Sequence, residues 1–369
     1  MAGGARIHGA PLDVLAGRLF AIGGYNAYGQ LGLGDRTNRS SPVQIGSGSD
    51  WRLGRNGGLD VAFARRSKRL FSVGRGRLSG GYTHLGLGLS NDLSSPVQVG
   101  SLSDWEFVIG YRSHALGIRA GKLFAWGFND NGQLGLGDLT QRSSPVQVGG
   151  ETDWTTAIGG DYHTLGLRGG KLYAWGLGYY GGLGLSSQDR YSSPVQVGAG
   201  TDWTAIAIED KNSFGIRGGK LYAWGNGNYQ LTGAVGSSPV QIGAATNWTD
   251  VVAGPFHGLG LRDGALYSWG NNDFGNLGLG NTTTRNSPVQ VGAATDWSGI
   301  AAGAYTTYGL RTGKLFACGR NNYGQFGLGT ITGFGIGISS PVQVGADTDW
   351  LAVMAITGAG DSSWGVRAP

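Results

Sequence analysis

Three short signatures recur seven times each along this chain, always in the same order, and no other feature restricts its fold so tightly. The first is Ser-Pro-Val-Gln, whose proline falls at Pro42, Pro96, Pro145, Pro194, Pro239, Pro288 and Pro341. Successive prolines are 54, 49, 49, 45, 49 and 53 residues apart. The second is a tryptophan nine residues after each proline: Trp51, Trp105, Trp154, Trp203, Trp248, Trp297 and Trp350. Six of these follow an aspartate, and Trp248 follows Asn247. The third is an Ala-Trp-Gly class ending at Gly23, Gly74, Gly127, Gly176, Gly225, Gly270 and Gly319. A period near 50 residues is the mark of one supersecondary unit copied along the chain, which buries its apolar face against its neighbours.

The fourth copy shows the local pattern. Trp154–Ile158 is a short apolar run, and His163-Thr-Leu-Gly-Leu-Arg168 alternates. Gly169-Gly170 is a two-residue hairpin turn, because glycine tolerates the positive φ such turns require. Lys171-Leu-Tyr-Ala-Trp-Gly176 reads as the return strand. Pro194–Val197 is a shorter fourth piece, suited to an outer edge because proline cannot donate to a ladder. The glycine inside Leu165-Gly-Leu167 marks a close approach of backbones. No window holds a 3.6-residue apolar period over ten residues, so the copies are four-stranded and all-β.

Seven such units predict a seven-bladed β-propeller. The chain enters with Arg18-Leu-Phe-Ala-Ile-Gly23, the later part of a copy, and ends with Ser363-Trp-Gly-Val-Arg367, the earlier part. The N- and C-terminal strands are therefore expected to pair in one shared blade, closing the ring and leaving no open edge. Residues 1–16 are an N-terminal extension and 17–369 the propeller.

The chain has 74 glycines and 10 prolines, a composition near that of low-complexity chains, but the glycines are periodic and 12 tryptophans accompany them, as a packed core demands. The single cysteine, Cys318, excludes an intramolecular disulfide and a cysteine-ligated zinc site. Residues 1–16 hold no secretory apolar run, and no stretch reaches 18 apolar residues, so synthesis in the cytoplasm without a signal peptide and no membrane span are expected.

The segments Leu123-Phe-Ala-Trp-Gly127, Asn131-Gly-Gln-Leu-Gly-Leu-Gly137 and Gly159-Gly-Asp-Tyr-His-Thr-Leu-Gly-Leu-Arg168 resemble the regulator-of-chromosome-condensation repeat family. Gly-Gln-Leu-Gly recurs at 29–32, 132–135 and, with Phe326 for leucine, 324–327. The resemblance runs from about residue 17 to 367. It implies a seven-bladed propeller but no single function. Members include a nucleotide-exchange factor for a small GTPase, a plant ultraviolet photoreceptor, a β-lactamase inhibitor, ubiquitin-ligase modules, and bacterial and phage proteins. The photoreceptor pattern Gly-Trp-Arg-His-Thr is not kept: the corresponding text is Gly110-Tyr-Arg-Ser-His114.

No catalytic motif is present, and the chain is read as a non-enzymatic binding protein without cofactor or metal. His114, His163 and His257 occupy equivalent positions and are expected to stabilise turns. His8 and His84 are isolated and expected to be exposed. The aspartates before the tryptophans are expected to cap turns. Two surfaces stand out as binding candidates. The loops after each Ala-Trp-Gly strand lie on one face and carry Tyr28, Tyr180, Tyr229, Phe274 and Tyr323, with Tyr25, Tyr179, Asn271, Asn272, Asn321 and Asn322 beside them. Tyrosine with asparagine suits recognition of a protein or a surface glycan, although the rings could equally wedge between blades. The second surface is the basic second copy, with Arg65, Arg66, Lys68 and Arg69 among Arg52, Arg55, Arg75 and Arg77, opposed there only by Asp60. It would dock an acidic surface or an anionic glycan. Nucleic acid is least favoured, since no aromatic interleaving accompanies the charge. The apolar insertion Thr330–Ile338 and a shortening between Thr232 and Ser237 break the pseudo-symmetry, and such irregular loops carry function. The resulting expectation is a structural binding protein, such as a phage virion decoration or fibre-associated protein with virion assembly partners. The alternative is an intracellular regulator such as a small-GTPase exchange factor.

Overall fold

The structure is a computed structural model that describes residues 16–54, 60–77, 83–111, 113–209, 211–226, 236–356 and 361–369. The other residues include Tyr229, Arg55, His8, residues 1–15 of the expected extension and most of the shortened fifth-copy loop. These fall outside the described set. Seven antiparallel sheets of four strands each make a propeller. No helix is long and apolar enough to cross a membrane.

We letter the strands of each blade a to d and number the blades from the one that holds the chain's first strand. In blade 4, a is Trp154–Gly159, b His163–Arg168, c Lys171–Leu177 and d Arg190–Gln196. Neighbouring blades touch through their a strands, which surround the axis. The d strands carry the Ser-Pro-Val-Gln signature on the rim, half exposed, where a missing proline N–H costs nothing. In blade 4, d begins at Arg190, earlier than the proline suggests, because Tyr191 and Arg190 also pair with Gly176 and Leu177.

Blade 1 closes the ring as expected. Its a and b strands, Trp350–Ile356 and Ser362–Arg367, come from the end of the chain. Its c and d strands, Arg18–Gly24 and Val43–Gln44, come from the start. The register pairs Arg18 with Arg367, Leu19 with Val366 and Ala21 with Trp364.

The seven tryptophans that open the a strands pack under strand b. A Cβ placed on Gly166 would fall 2.5 Å from the Trp154 ring, and one on Gly309 would fall 2.4 Å from Trp297. These mid-strand glycines therefore admit an indole, where the sequence suggested only close backbones. In blade 4, the Gly169-Gly170 hairpin has φ of 53° and 72°, the paired positive values a two-residue turn needs.

Histidine links blades instead of bracing turns. His114 Nε2 lies 3.1 Å from Thr164 Oγ1 of the next blade, and that hydroxyl donates to the Gln133 carbonyl at 2.7 Å. The Trp175 indole N–H donates to the same carbonyl at 2.9 Å. His163, Ser213, Gly182 and Trp224 repeat the arrangement one blade on. Burial holds these imidazoles neutral: His114 is pushed down to about 3, and His163 and His257 to about 4. His84, expected to be exposed, is fully buried. Its carbonyl accepts from the Trp126 indole at 2.9 Å, so it stands at the loop position of Gln133 and not on the surface.

Candidate binding face

Antiparallel alternation divides the connections between two faces. The a–b and c–d loops emerge on one, and the b–c hairpins and d–a links on the other.

On the second face each b strand ends in an arginine, and in every blade but the sixth, where Asn247 replaces it, the aspartate of the Asp-Trp signature meets that arginine: Arg66 with Asp50 at 2.7 Å, Arg119 with Asp104, Arg367 with Asp349 at 2.7 Å. The guanidinium also lies over the tryptophan that follows the aspartate, 5.5 Å from the ring centre for Arg168 and Trp154. The aspartates thus orient arginines and do not cap turns. Exposed pairs of this kind contribute little to stability. Arg66, Lys68 and Arg69 are exposed here, and Lys68 and Arg69 lack an ion-pair partner among the described residues. Arg65 departs from this set. It takes the strand position that Ile118 and Leu167 fill in other blades, is 2% exposed, and donates to the Trp105 carbonyl of the next blade at 2.8 Å. It is a seam residue and leaves the basic patch with three members.

On the first face the c–d loops are built around a buried asparagine. Asn129 Nδ2 donates to the carbonyls of Asp138 and Thr140, both at 3.0 Å, and its Oδ1 accepts from Leu134 N at 2.9 Å. Asn26, Asn272 and Asn321 do the same work in their loops. Asn272, Asn321 and Asn322 are therefore interior residues, and only Asn271 of the four offered as contacts is partly exposed. Replacing Asn129 with alanine strands buried backbone groups and should cost about 2–3 kcal/mol, measurable by denaturant titration.

The aromatic side chains gather at three places on this face. Tyr179 and Tyr180 meet edge to face at 4.9 Å, with Lys211 4.4 Å above Tyr180 and Tyr179 60% exposed. Phe274 packs on Tyr305 at 4.8 Å, and Phe256 stacks on Tyr305 at 4.6 Å. The third group crosses three blades. Arg75 of blade 2 lies 4.5 Å from the centre of Tyr28, which meets Tyr25 at 6.3 Å. Tyr25 meets Tyr323 of blade 7 at 5.3 Å, and Tyr323 meets Phe334 at 6.2 Å. Partial burial and the neighbouring Tyr28 and Asp60 raise the Tyr25 phenol above its ordinary value.

Most of these rings do wedge between blades and are only partly exposed. The insertion is different. Ile331, Phe334 and Ile336 are 65%, 76% and 61% exposed. They are held there: Asn321 Nδ2 donates to the Thr330 carbonyl at 3.0 Å, Ile336 N to the Gly333 carbonyl at 3.1 Å, and Thr332 Oγ1 to the Ile336 carbonyl at 2.9 Å. The equivalent loop of blade 6, Gly280-Asn-Thr-Thr-Thr, is polar. Sequence reasoning marked the insertion but not its continuity with Tyr323 and Tyr25. It also passed over Tyr162, Phe256 and Tyr305, which directly precede the histidine positions and could have been found by that offset. Among the described residues no cluster of three histidine, cysteine or acidic side chains could hold a metal ion.

The chain is a closed seven-bladed propeller with blade-to-blade hydrogen-bonded links and one aromatic loop face. The family profile described as Regulator of chromosome condensation (RCC1) repeat matches residues 16–53, 120–167, 169–213 and 263–310, and a second profile of that description matches 248–276. The chain belongs to the RCC1 repeat family. Among curated protein sequences, none matches it. Its fold is similar to that of human WBSCR16, with a TM-score of 0.81 at 20% identity over 96% of this chain and 99% of that one. It is also similar to Prp20p from Saccharomyces cerevisiae, a structure described together with binding to Gsp1p and histones, with a TM-score of 0.78 at 20% identity over 98% and 94%. Yeast RCC1 (Prp20) in complex with Kap60 gives 0.79 at 19% identity over 100% and 95%.

Proposed function

We propose that the protein is a non-catalytic recognition module that holds a protein partner on its aromatic face. The contact centres on the ridge from Phe334 through Tyr323 and Tyr25 to Tyr28 and Arg75. The observation that carries this is the ordered exposure of Ile331, Phe334 and Ile336. Monomeric proteins rarely display adjacent large apolar side chains unless these meet something, and an aromatic anchor beside arginine and tyrosine is the composition of interface hot spots. A protein partner is favoured over a glycan because two isoleucines flank the ring, and aliphatic side chains give a sugar no polar contact. The basic hairpin Arg66, Lys68 and Arg69 opens on the opposite face, so it would serve a different contact.

A virion assembly partner would be one such protein. The exchange-factor alternative draws on the fold shared with Prp20p, and at 20% identity that likeness carries fold alone. A nucleotide-exchange assay separates the two.

The test is selection of binders from a displayed library of the source's own proteins. Phe334→Ser should weaken a specific binder by about tenfold or more, while Lys171→Ala on the opposite face should leave it unchanged. Binders indifferent to Phe334 and Tyr323 but sensitive to Lys171 would refute the assignment.

A further inference from the structure

Each d strand ends in a glutamine, and in every blade but the sixth that glutamine donates to the glycine carbonyl two residues on. Gln147 Nε2 reaches the Gly149 carbonyl at 2.9 Å, and the other copies repeat the bond at 2.7–3.0 Å. Gln290 of blade 6 departs. Its Oε1 accepts from the Tyr267 hydroxyl at 3.3 Å, and its amide nitrogen has no hydrogen-bond partner among the described residues.

The arginines that end the b strands break their pattern at the neighbouring blade. In blades 1 to 6 the guanidinium lies over a ring, as Arg217 does 5.4 Å from Trp203 and Arg66 5.7 Å from Trp51. In blades 4, 5 and 6 it also donates to the hydroxyl of a strand-c tyrosine, and in blades 1 and 4 it meets an acid of the d–a link. Arg168 thus joins Tyr173 at 3.0 Å to Glu151 at 2.8 Å. Blade 7 lacks all three. Phe316 stands for the tyrosine, Ala294 stands for Glu151, and Arg311 lies over no ring among the described residues. Its Nε meets Asp296, while its two terminal amino groups have no partner among the described residues and its side chain is 40% exposed.

Both departures open on one space. A rim groove of about 670 Å³ between blades 6 and 7 is lined by Gln290, Arg311, Trp297, Phe316, Leu279 and Pro341 together with small residues. Trp297 and Phe316 meet edge to face at 5.5 Å and give it an aromatic wall. No carboxylate lines it, so its wall carries one positive charge. A groove of this volume, mostly apolar with a few polar groups, suits a small molecule.

We propose that the rim groove between blades 6 and 7 binds a small aryl carboxylate, with its ring against Trp297 and Phe316 and its carboxylate on Arg311 and Gln290. The two terminal amino groups of a guanidinium match the two oxygens of a carboxylate. One cation and one neutral amide suit a single negative charge, whereas a phosphate monoester carries nearly two. The site lies on the rim, apart from the ridge of Phe334 and Tyr323, and does not depend on a protein partner there.

The experiment is calorimetric titration of the full chain with benzoate, phenylacetate, hydrocinnamate and naphthoate. Saturable uptake of at least one, at a single site, is expected from the native protein, and its carboxamide should bind about tenfold more weakly or worse. Arg311→Gln should weaken uptake by about tenfold or more, since it removes a charge-assisted hydrogen bond. Ala294→Glu supplies the link acid of blade 4, engages the Arg311 amino groups and should also suppress uptake; it serves if the first variant does not fold. Phe334→Ser should leave uptake unchanged. The proposal would be overturned by no saturable uptake of any of the four acids by the folded native protein, by equal uptake of acid and carboxamide, or by uptake undiminished in a folded Arg311→Gln or Ala294→Glu variant.

Discussion

Acidification from pH 7 to pH 5 is expected to remove most of this protein's stability. His114, His163 and His257 are held neutral in the fold at about 3, 4 and 4, below the ordinary 6.5 they regain on unfolding. Their contribution is complete above the unfolded value and is lost as the pH falls from 6.5 toward 4, because the unfolded chain then binds protons that the fold refuses. At pH 5 each histidine costs about 2 kcal/mol, so the three together cost about 6 kcal/mol, comparable to the stability of a whole domain. Asp361 works the other way. Desolvation pushes its carboxyl up to about 6, against donation from Ala304 N and Tyr305 N, each at 3.3 Å. Its folded value lies above the unfolded one, so it favours the fold at low pH and loses that effect as the pH rises through 6. Over the same interval it returns about 1 kcal/mol, too little to reverse the sign. Denaturant midpoints measured between pH 7.5 and 4.5 should fall steeply. His163→Asn, which copies Asn212 at the same position of blade 5, should remove about a third of the slope. A flat profile would mean that the imidazoles are solvated.

Removal of residues 362–369 is expected to abolish cooperative folding, although it deletes only eight of 369 residues. Strand b of blade 1 lies between Trp350–Ile356 and Arg18–Gly24 and is hydrogen-bonded to both. Its loss leaves two unpaired edges and withdraws Trp364, which is 1% exposed, and the Ser363 hydroxyl that donates to the Gln325 carbonyl at 2.9 Å. Loss of the tryptophan alone should cost about 3–5 kcal/mol. A permuted chain provides the control. Arg367 and Arg18 are paired as Arg168 and Lys171 are across Gly169-Gly170. Joining them by Gly-Gly and opening the chain at a hairpin of another blade should therefore give a folded protein. Circular dichroism melts of both chains check the pair of outcomes. A cooperative transition in the truncated chain would show that the ring does not depend on this strand.

Much of this architecture is written in local signals. Gly169-Gly170 forms its turn from backbone freedom alone, and the proline of Ser-Pro-Val-Gln goes to the rim because it has no N–H to give. Arg18–Gly23 and Ser363–Arg367 are complementary parts of one copy, so closure could be read before any contact was known. Side-chain roles were harder to read, because each is set by a residue 40 to 50 positions away. His163 meets Ser213, Arg65 meets the Trp105 carbonyl, and the His84 carbonyl meets Trp126. A basic residue in a basic segment looks exposed until its strand position proves to be that of Ile118 and Leu167.

The sequence alone determined seven copies, four strands in each and a ring shut by its own ends, since periodicity and turn chemistry act within a few residues. Only the tertiary structure decided which of those residues face solvent. It joined Phe334, Tyr323, Tyr25, Tyr28 and Arg75, spread over three blades, into one ridge, and set Arg65 against the Trp105 carbonyl of the next blade. Both outcomes depend on which blade becomes whose neighbour, and burial is a property of neighbours.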